Sequence, residues 1–186
     1  IAIEQANWAS FDVTLIILGV WFAGVVFGAL VLLRDHRRVV RNADDAGPAV
    51  VGILRPRIVL PRDFEARYTS AERDLVLAHE RSHLAAFDPQ INALAAILQC
   101  LNWFNPLFQV ARSALRVDQE LACDARVMAL HGDAKRTYAE AMLKAQMTSE
   151  PILLGCQWPP VGAGPLKQRI CMLARPRPTR ARTALG

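Results

Sequence analysis

Residues 13–33 read VTLIILGVWFAGVVFGALVLL, twenty-one positions without a charge. A helix needs roughly 20 apolar residues to cross the hydrocarbon core of a bilayer, and a buried helix of a soluble domain seldom runs this long without a polar face. The run therefore predicts a transmembrane helix within a first segment, 1–41. Gly24 and Gly28 stand at small-xxx-small spacing, which suits close contact with another membrane helix. Arg34, Arg37, Arg38 and Arg41 follow the run, whereas only Glu4 and Asp12 carry charge before it. The positive-inside rule then places the rest of the chain at the cytoplasmic face of the inner membrane. A net charge of +5 suits an anionic lipid surface, and no recognised motif supports a nucleic-acid partner. The chain opens on Ile with no signal-peptide layout, so the expectation is an internal piece of a longer protein.

Over the whole chain, 53% apolar and 21% charged residues exclude disorder. The expected domain is 42–174, with 175–186 as a basic tail or a lead into a further membrane segment. Residues 42–47 form a polar linker. Two β-type runs, 49–53 and 57–60, are joined by a turn at 54–56 and make a small edge hairpin. Residues 69–86 predict a helix opened by a Thr69/Glu72 capping box. Asp88 then caps a second helix, 89–104, with Pro89 in its first turn. Asn105-Pro106 opens a third, ending near Leu130 with Gly132 as its stop. Asp133 caps a fourth around Tyr138 and Met142. A loop at 151–165 and a short helix at 166–173 follow. The stretch 91–110 is apolar but broken at Asn105-Pro106, which leaves two readings open: an interfacial or re-entrant hairpin, or a soluble core.

His79-Glu80-Arg81-Ser82-His83 is an HExxH motif on the first of these helices. Residues four apart share a helical face, so both imidazoles can hold one tetrahedral zinc. Glu80, adjacent, is placed to act as general base on an attacking water. A catalytic zinc needs a third protein ligand, and Glu120 on the third helix is the candidate. Asp124 lies one turn further on the same face and could accept a hydrogen bond from a ligand imidazole. The plainer reading of Glu120 and Asp124 is a solvated face paired with Arg116 and Arg126. Asp88 and Asp118 are lesser candidates, Asp88 chiefly as a cap. Cys123 reads as a small buried side chain. Cys100, Cys156 and Cys171 show no CxxC spacing, so all four cysteines are expected reduced. His36 and His131 read as surface residues.

Six segments in order then resemble one family: GILRPRIVLP (52–61), HERSH with Asp88 five residues on, NWFNP (102–106), ELACD (120–124), YAEAML (138–143) and LKQRI (166–170). Over about 51–172 the chain is similar to the BlaR/MecR-type peptidases, membrane-embedded zinc metallopeptidases that act as antirepressors in bacterial β-lactam sensing. The resemblance implies a mainly α fold: a transmembrane helix followed by a helical, gluzincin-like domain with a small β-hairpin. It implies Zn2+ held by His79, His83 and Glu120, Glu80 as general base, and Asp124 hydrogen-bonded behind a ligand. It also implies a protein substrate, a transcriptional repressor or the protein itself. The other expected partners are the lipid bilayer and the neighbouring transmembrane helices and sensor domain of a full-length protein. Two rivals remain at this point: a signalling scaffold that keeps zinc without proteolysis, and a membrane quality-control or prenyl-protein-type zinc protease.

Overall fold

The uncharged run propagates as helix well beyond its own ends. In the structure, a computed structural model describing residues 2–41, 47–146, 156–157 and 163–174, it lies inside one helix, α1 (Ala2–Arg41). The stretch Asp12–Arg37 is the one unbroken helix among the described residues that is long and apolar enough to cross a membrane. The small residues on α1 meet a helix of the same chain, α4 (Asp88–Leu101), and the turn that follows it. A Cβ at Gly24 would lie 2.2 Å from the Trp103 ring, and one at Gly28 would lie 3.5 Å from Cys100 Sγ. Trp21 Nε1 donates to Leu101 O at 2.9 Å, and Trp103 Nε1 donates to Trp21 O at 3.3 Å.

The expected hairpin forms from β1 (Ala49–Val51) and β2 (Arg57–Val59), antiparallel with Val50 opposite Ile58. Its turn requires Gly52, whose φ is +103 and where a Cβ would sit 2.9 Å from Arg55 O. A third strand, β3 (Cys156–Gln157), pairs with the other side of β1. It falls inside the expected 151–165 loop, most of which lies outside the described residues, as do 42–46 and the tail 175–186. A single turn, α2 (Phe64–Arg67), was not expected and buries Phe64 against Tyr68.

Helix α3 (Ser70–Ala85) opens on the expected capping box: Glu72 N donates to Thr69 Oγ1, and Thr69 N donates to the Glu72 carboxylate. Asp88 does not cap α4. Phe87 occupies that position in the left-handed conformation, φ 59 and ψ 27, and Asp88 is turned inward. Helix α4 ends at Leu101, three residues earlier than expected, because 102–104 turn toward α5 (Pro106–Leu130). Asn105 does cap α5, its Oδ1 accepting from Leu107 N at 3.0 Å. Gly132 is not a left-handed stop: α5 closes on His131, whose N–H donates to Val127 O. Helix α6 (Lys135–Gln146) starts two residues after Asp133, and α7 (Ala163–Ala174) contains the expected 166–173 helix. Val76, Val127, Tyr138, Met142, Ala145 and Leu173 form the core between α3, α5, α6 and α7.

Candidate metal centre

Because α3 is fixed at its start by the capping box and at its end by the Phe87 corner, His79 and His83 face α5 and are fully buried. Their Nε2 atoms lie 3.1 Å apart. Glu120 enters from α5, with Oε2 3.3 Å from His79 Nε2 and Oε1 3.6 Å from His83 Nε2. Two tetrahedral zinc ligands at ordinary bond lengths stand about 3.3 Å from each other, so this spacing fits a single cation with His79, His83 and Glu120 around it. Four carboxylates are buried here, Glu80, Asp88, Glu120 and Asp124, and the buried guanidinium of Arg169 pairs with two of them, Glu120 and Asp124. A buried excess of negative charge of this kind also calls for a cation.

The outer nitrogens of both imidazoles are tied. Tyr138 donates its hydroxyl proton to Asp124 Oδ1 at 2.7 Å, leaving its lone pair 2.7 Å from His79 Nδ1. His79 Nδ1 then keeps its proton, and Nε2 points inward, where its lone pair would serve a cation that displaces the second proton. His83 Nδ1 sits 2.7 Å from Asp88 Oδ2 and 3.3 Å from Cys123 Sγ, so it is oriented the same way. Asp88, read from sequence as a cap, thus serves His83. His83, Asp88 and Cys123 also converge as a second possible ligand group, but through the nitrogen that orients His83.

Arg169 from α7 reaches behind both acids. Its Nε and Nη2 donate to the two oxygens of Asp124, each at 2.7 Å, and Nη1 lies 2.9 Å from Glu120 Oε2. Burial works to raise both carboxyls, yet the Arg169 charge and the imidazoles hold both below the ordinary range. Burial works to lower His79, but Asp124 and Glu120 overcome it and raise the ring to about 9. Glu80 is raised to about 7, chiefly by burial, against the pull of the His83 and His79 rings. Neither Glu80 oxygen has a hydrogen-bond partner among the described residues. Burial and the charge of Asp88 push the Cys123 thiol up, so it stays protonated.

The structure therefore brings His79, Glu80, His83, Glu120 and Asp124 together. The solvated-face reading of Glu120 and Asp124 fails: both are buried, and Arg126 instead donates to Ser82 O. Asp118 is exposed, and His36 and His131 lie outside the site. Sequence reasoning assigned no role to Tyr138 or Arg169, although both sit in the YAEAML and LKQRI segments.

Residues 34–173 match the family described as BlaR1 peptidase M56. The regulatory protein BlaR1 of Bacillus licheniformis is 31% identical over 115 residues, 60% of this chain and 19% of that protein. Methicillin resistance mecR1 proteins of Staphylococcus aureus and Staphylococcus epidermidis are each 26% identical over 115 residues, 61% of this chain and 20% of theirs. The chain spans about a fifth of the length of these relatives.

Proposed function

The chain belongs to the BlaR1 peptidase M56 family, a family of metallopeptidases, and from that premise we propose that it is the catalytic part of a membrane zinc metalloendopeptidase. It cleaves a cytoplasmic protein, a transcriptional repressor or itself, in bacterial signal transduction. The names of the relatives, a regulatory protein and methicillin resistance proteins, support the signalling role. The basic flank of α1, Arg34 to Arg41, supports placing the domain at the cytoplasmic face.

One observation carries the enzymatic reading: a buried carboxylate, Glu80, without a hydrogen-bond partner among the described residues, beside His79, His83 and Glu120. Burying such a group unpaired is costly, and a catalytic base is a reason to bear that cost. His79, His83 and Glu120 would hold the metal. When bound, zinc supplies Lewis acidity that polarises a carbonyl and makes water a nucleophile near neutral pH. Glu80 takes the water's proton on a free carboxylate oxygen and delivers it to the leaving amine. Asp124 and Tyr138 keep His79 in its binding tautomer, and Asp88 does so for His83. The substrate would add in extended form to β2, an outer strand of the sheet that packs on α3.

The test is zinc content and cleavage of a repressor substrate in membranes, for wild type and Glu80→Ala. Zinc in both with cleavage by wild type alone is the expected result. Equal cleavage by both would remove Glu80 as base, and a metal-free wild type would remove the centre.

A further inference from the structure

The outward face of α4 and the start of α5 has no partner among the described residues. Leu94 is 57% exposed, Ile97 57%, Phe104 60%, Leu107 70% and Val110 65%. Between Asp88 and Arg112 the sequence carries no charged residue. An apolar surface of this size is a contact site for something, and its neighbour in space says what. The tip of α4 rests on α1 at Trp21, Gly24 and Gly28. The apolar span of α1 is Asp12–Arg37, and its midpoint falls at residues 24–25. The tip is therefore level with the middle of a helix whose own flanks, such as Phe22 at 63% and Phe27 at 70%, are equally bare.

Several of the corner's polar groups are also satisfied internally, as hydrocarbon requires of backbone. Asn102 N donates to Leu98 O, Asn105 N to Asn102 O, Leu107 N to Asn105 Oδ1 and Phe108 N to Asn105 O. Position 106 is proline and has no N–H. The Asn102 amide donates to Leu98 O, and both indole N–H groups of the Trp21–Trp103 pair are used. Arg112, the first charge on the returning arm, is turned inward onto Gln99 at 2.6 Å, the usual placing of a charge at membrane depth.

We propose that α4, the 102–105 corner and the first turns of α5 form a re-entrant hairpin in the lipid leaflet on the basic side of α1, which sets the His79–His83–Glu120 site at headgroup level. The direction follows from the contacts: Trp103 meets Gly24 and Cys100 meets Gly28. α4 thus runs antiparallel to α1, and Asp88 lies toward Arg34–Arg41. Both arms, Asp88–Leu101 and Pro106 to Glu120, rise about 21 Å from the corner. Half the hydrocarbon core is about 15 Å. The site then stands roughly 6 Å beyond the hydrocarbon edge, and any tilt of the hairpin brings it closer to the lipid. Phe87, 65% exposed beside Asp88, falls in the interfacial zone that aromatic rings favour.

The test uses the full chain in phosphatidylcholine–phosphatidylglycerol vesicles, with Cys100, Cys156 and Cys171 changed to Ser and the buried Cys123 retained. Nitroxide labels are placed through Phe104→Cys, Leu107→Cys and Phe87→Cys, with Phe27→Cys and Leu130→Cys as deep and aqueous references. Power saturation with oxygen and a nickel chelate reads depth. Labels at 104 and 107 should match the one at 27, oxygen-rich and shielded from nickel, and the label at 87 should read headgroup depth. Nickel access at 104 and 107 like that at 130 would overturn the hairpin. Shielding from both reagents would overturn it too, because protein would then cover the face. A label at 87 as aqueous as that at 130 would overturn the height of the site. If the labelled variants fail to fold, the otherwise unaltered chain gives the same reading: chain-brominated lipids should quench its tryptophan fluorescence, and Trp103→Phe should lose a share of that quenching. Equal quenching of both would count against the hairpin.

Discussion

Arg169 and Tyr138 govern how the site's charges are held, and they do so differently. Arg169 neutralises Glu120 and Asp124 in a place water does not reach. Removing one partner of a buried ion pair costs about 3–5 kcal/mol. Arg169→Met, of similar length without charge, should therefore destabilise the protein strongly, and more so after chelation than with zinc bound, since a cation would itself compensate Glu120. Melting curves with and without a chelator check this; an equal loss in both, or none, would contradict it. Tyr138→Phe keeps the buried ring and removes the hydroxyl that links His79 Nδ1 to Asp124 Oδ1. Partners behind ligands are worth about 10- to 100-fold in metal affinity. The lower end is expected here, because Asp124 Oδ1 already lies 3.3 Å from the ring nitrogen and can move in. Competition against a chelator at fixed pH measures it. His79 and His83 were legible because four-residue spacing is a local property of a helix. Arg169 was not: it meets Asp124 across 45 residues, and a single arginine in a short helix carries no pattern.

Helix α3 carries both histidine ligands, and its N-terminus is sensitive to acid. Glu72 accepts from Thr69 N–H and from Lys144 Nζ at 2.7 Å, so it both caps α3 and ties it to α6. Burial alone would raise its pKa, but the Lys144 and Thr69 hydrogen bonds lower it below its usual 4.5. A depressed carboxylate contributes stability above its unfolded pKa and loses it as pH falls through the folded one. Glu72→Gln should thus lower stability at pH 7 by about 1 kcal/mol, the scale of a lost cap, and the gap to wild type should narrow below pH 4.5. Melting at both pH values checks it; a gap that widens in acid would be the wrong sign. At the hairpin, Gly52→Ala should cost about 1–2 kcal/mol, from its positive φ and the approach to Arg55 O. The starts of α3 and α5 could be read from sequence because capping boxes and Asn-Pro pairs act within four residues. The pairing of β3 with β1 joins segments about a hundred residues apart and leaves no local trace. Asp88 was misassigned because an Asp before Pro looks the same whether it caps a helix or turns in to a histidine.

On the scale of the molecule, two different forces hold the chain. The contact of α1 with α4 and its corner is made of close-packed small and aromatic residues with two indole hydrogen bonds, and none of these residues belongs to the metal site. The packing of α3, α5 and α7 around the site sets four buried carboxylates against one guanidinium, with the imidazoles between. Binding of a divalent cation should therefore stabilise the second body and leave the first unchanged. A ligand at a hundred times its Kd adds about 2.7 kcal/mol to the folded state, or roughly 5–11 °C in melting temperature for a domain of this size. Adding zinc to chelated wild type should produce that rise, and Glu80→Gln should show it too, because Glu80 is not placed to hold the metal. His83→Ala should not show it. Fluorescence of the Trp21–Trp103 pair should stay constant across the same titration, since the membrane contact does not depend on zinc. A rise in His83→Ala equal to that of wild type would mean that the stabilising cation sits elsewhere. A change in the tryptophan signal would mean that the two bodies are coupled through α4, whose first residue binds His83 and whose last turn touches α1.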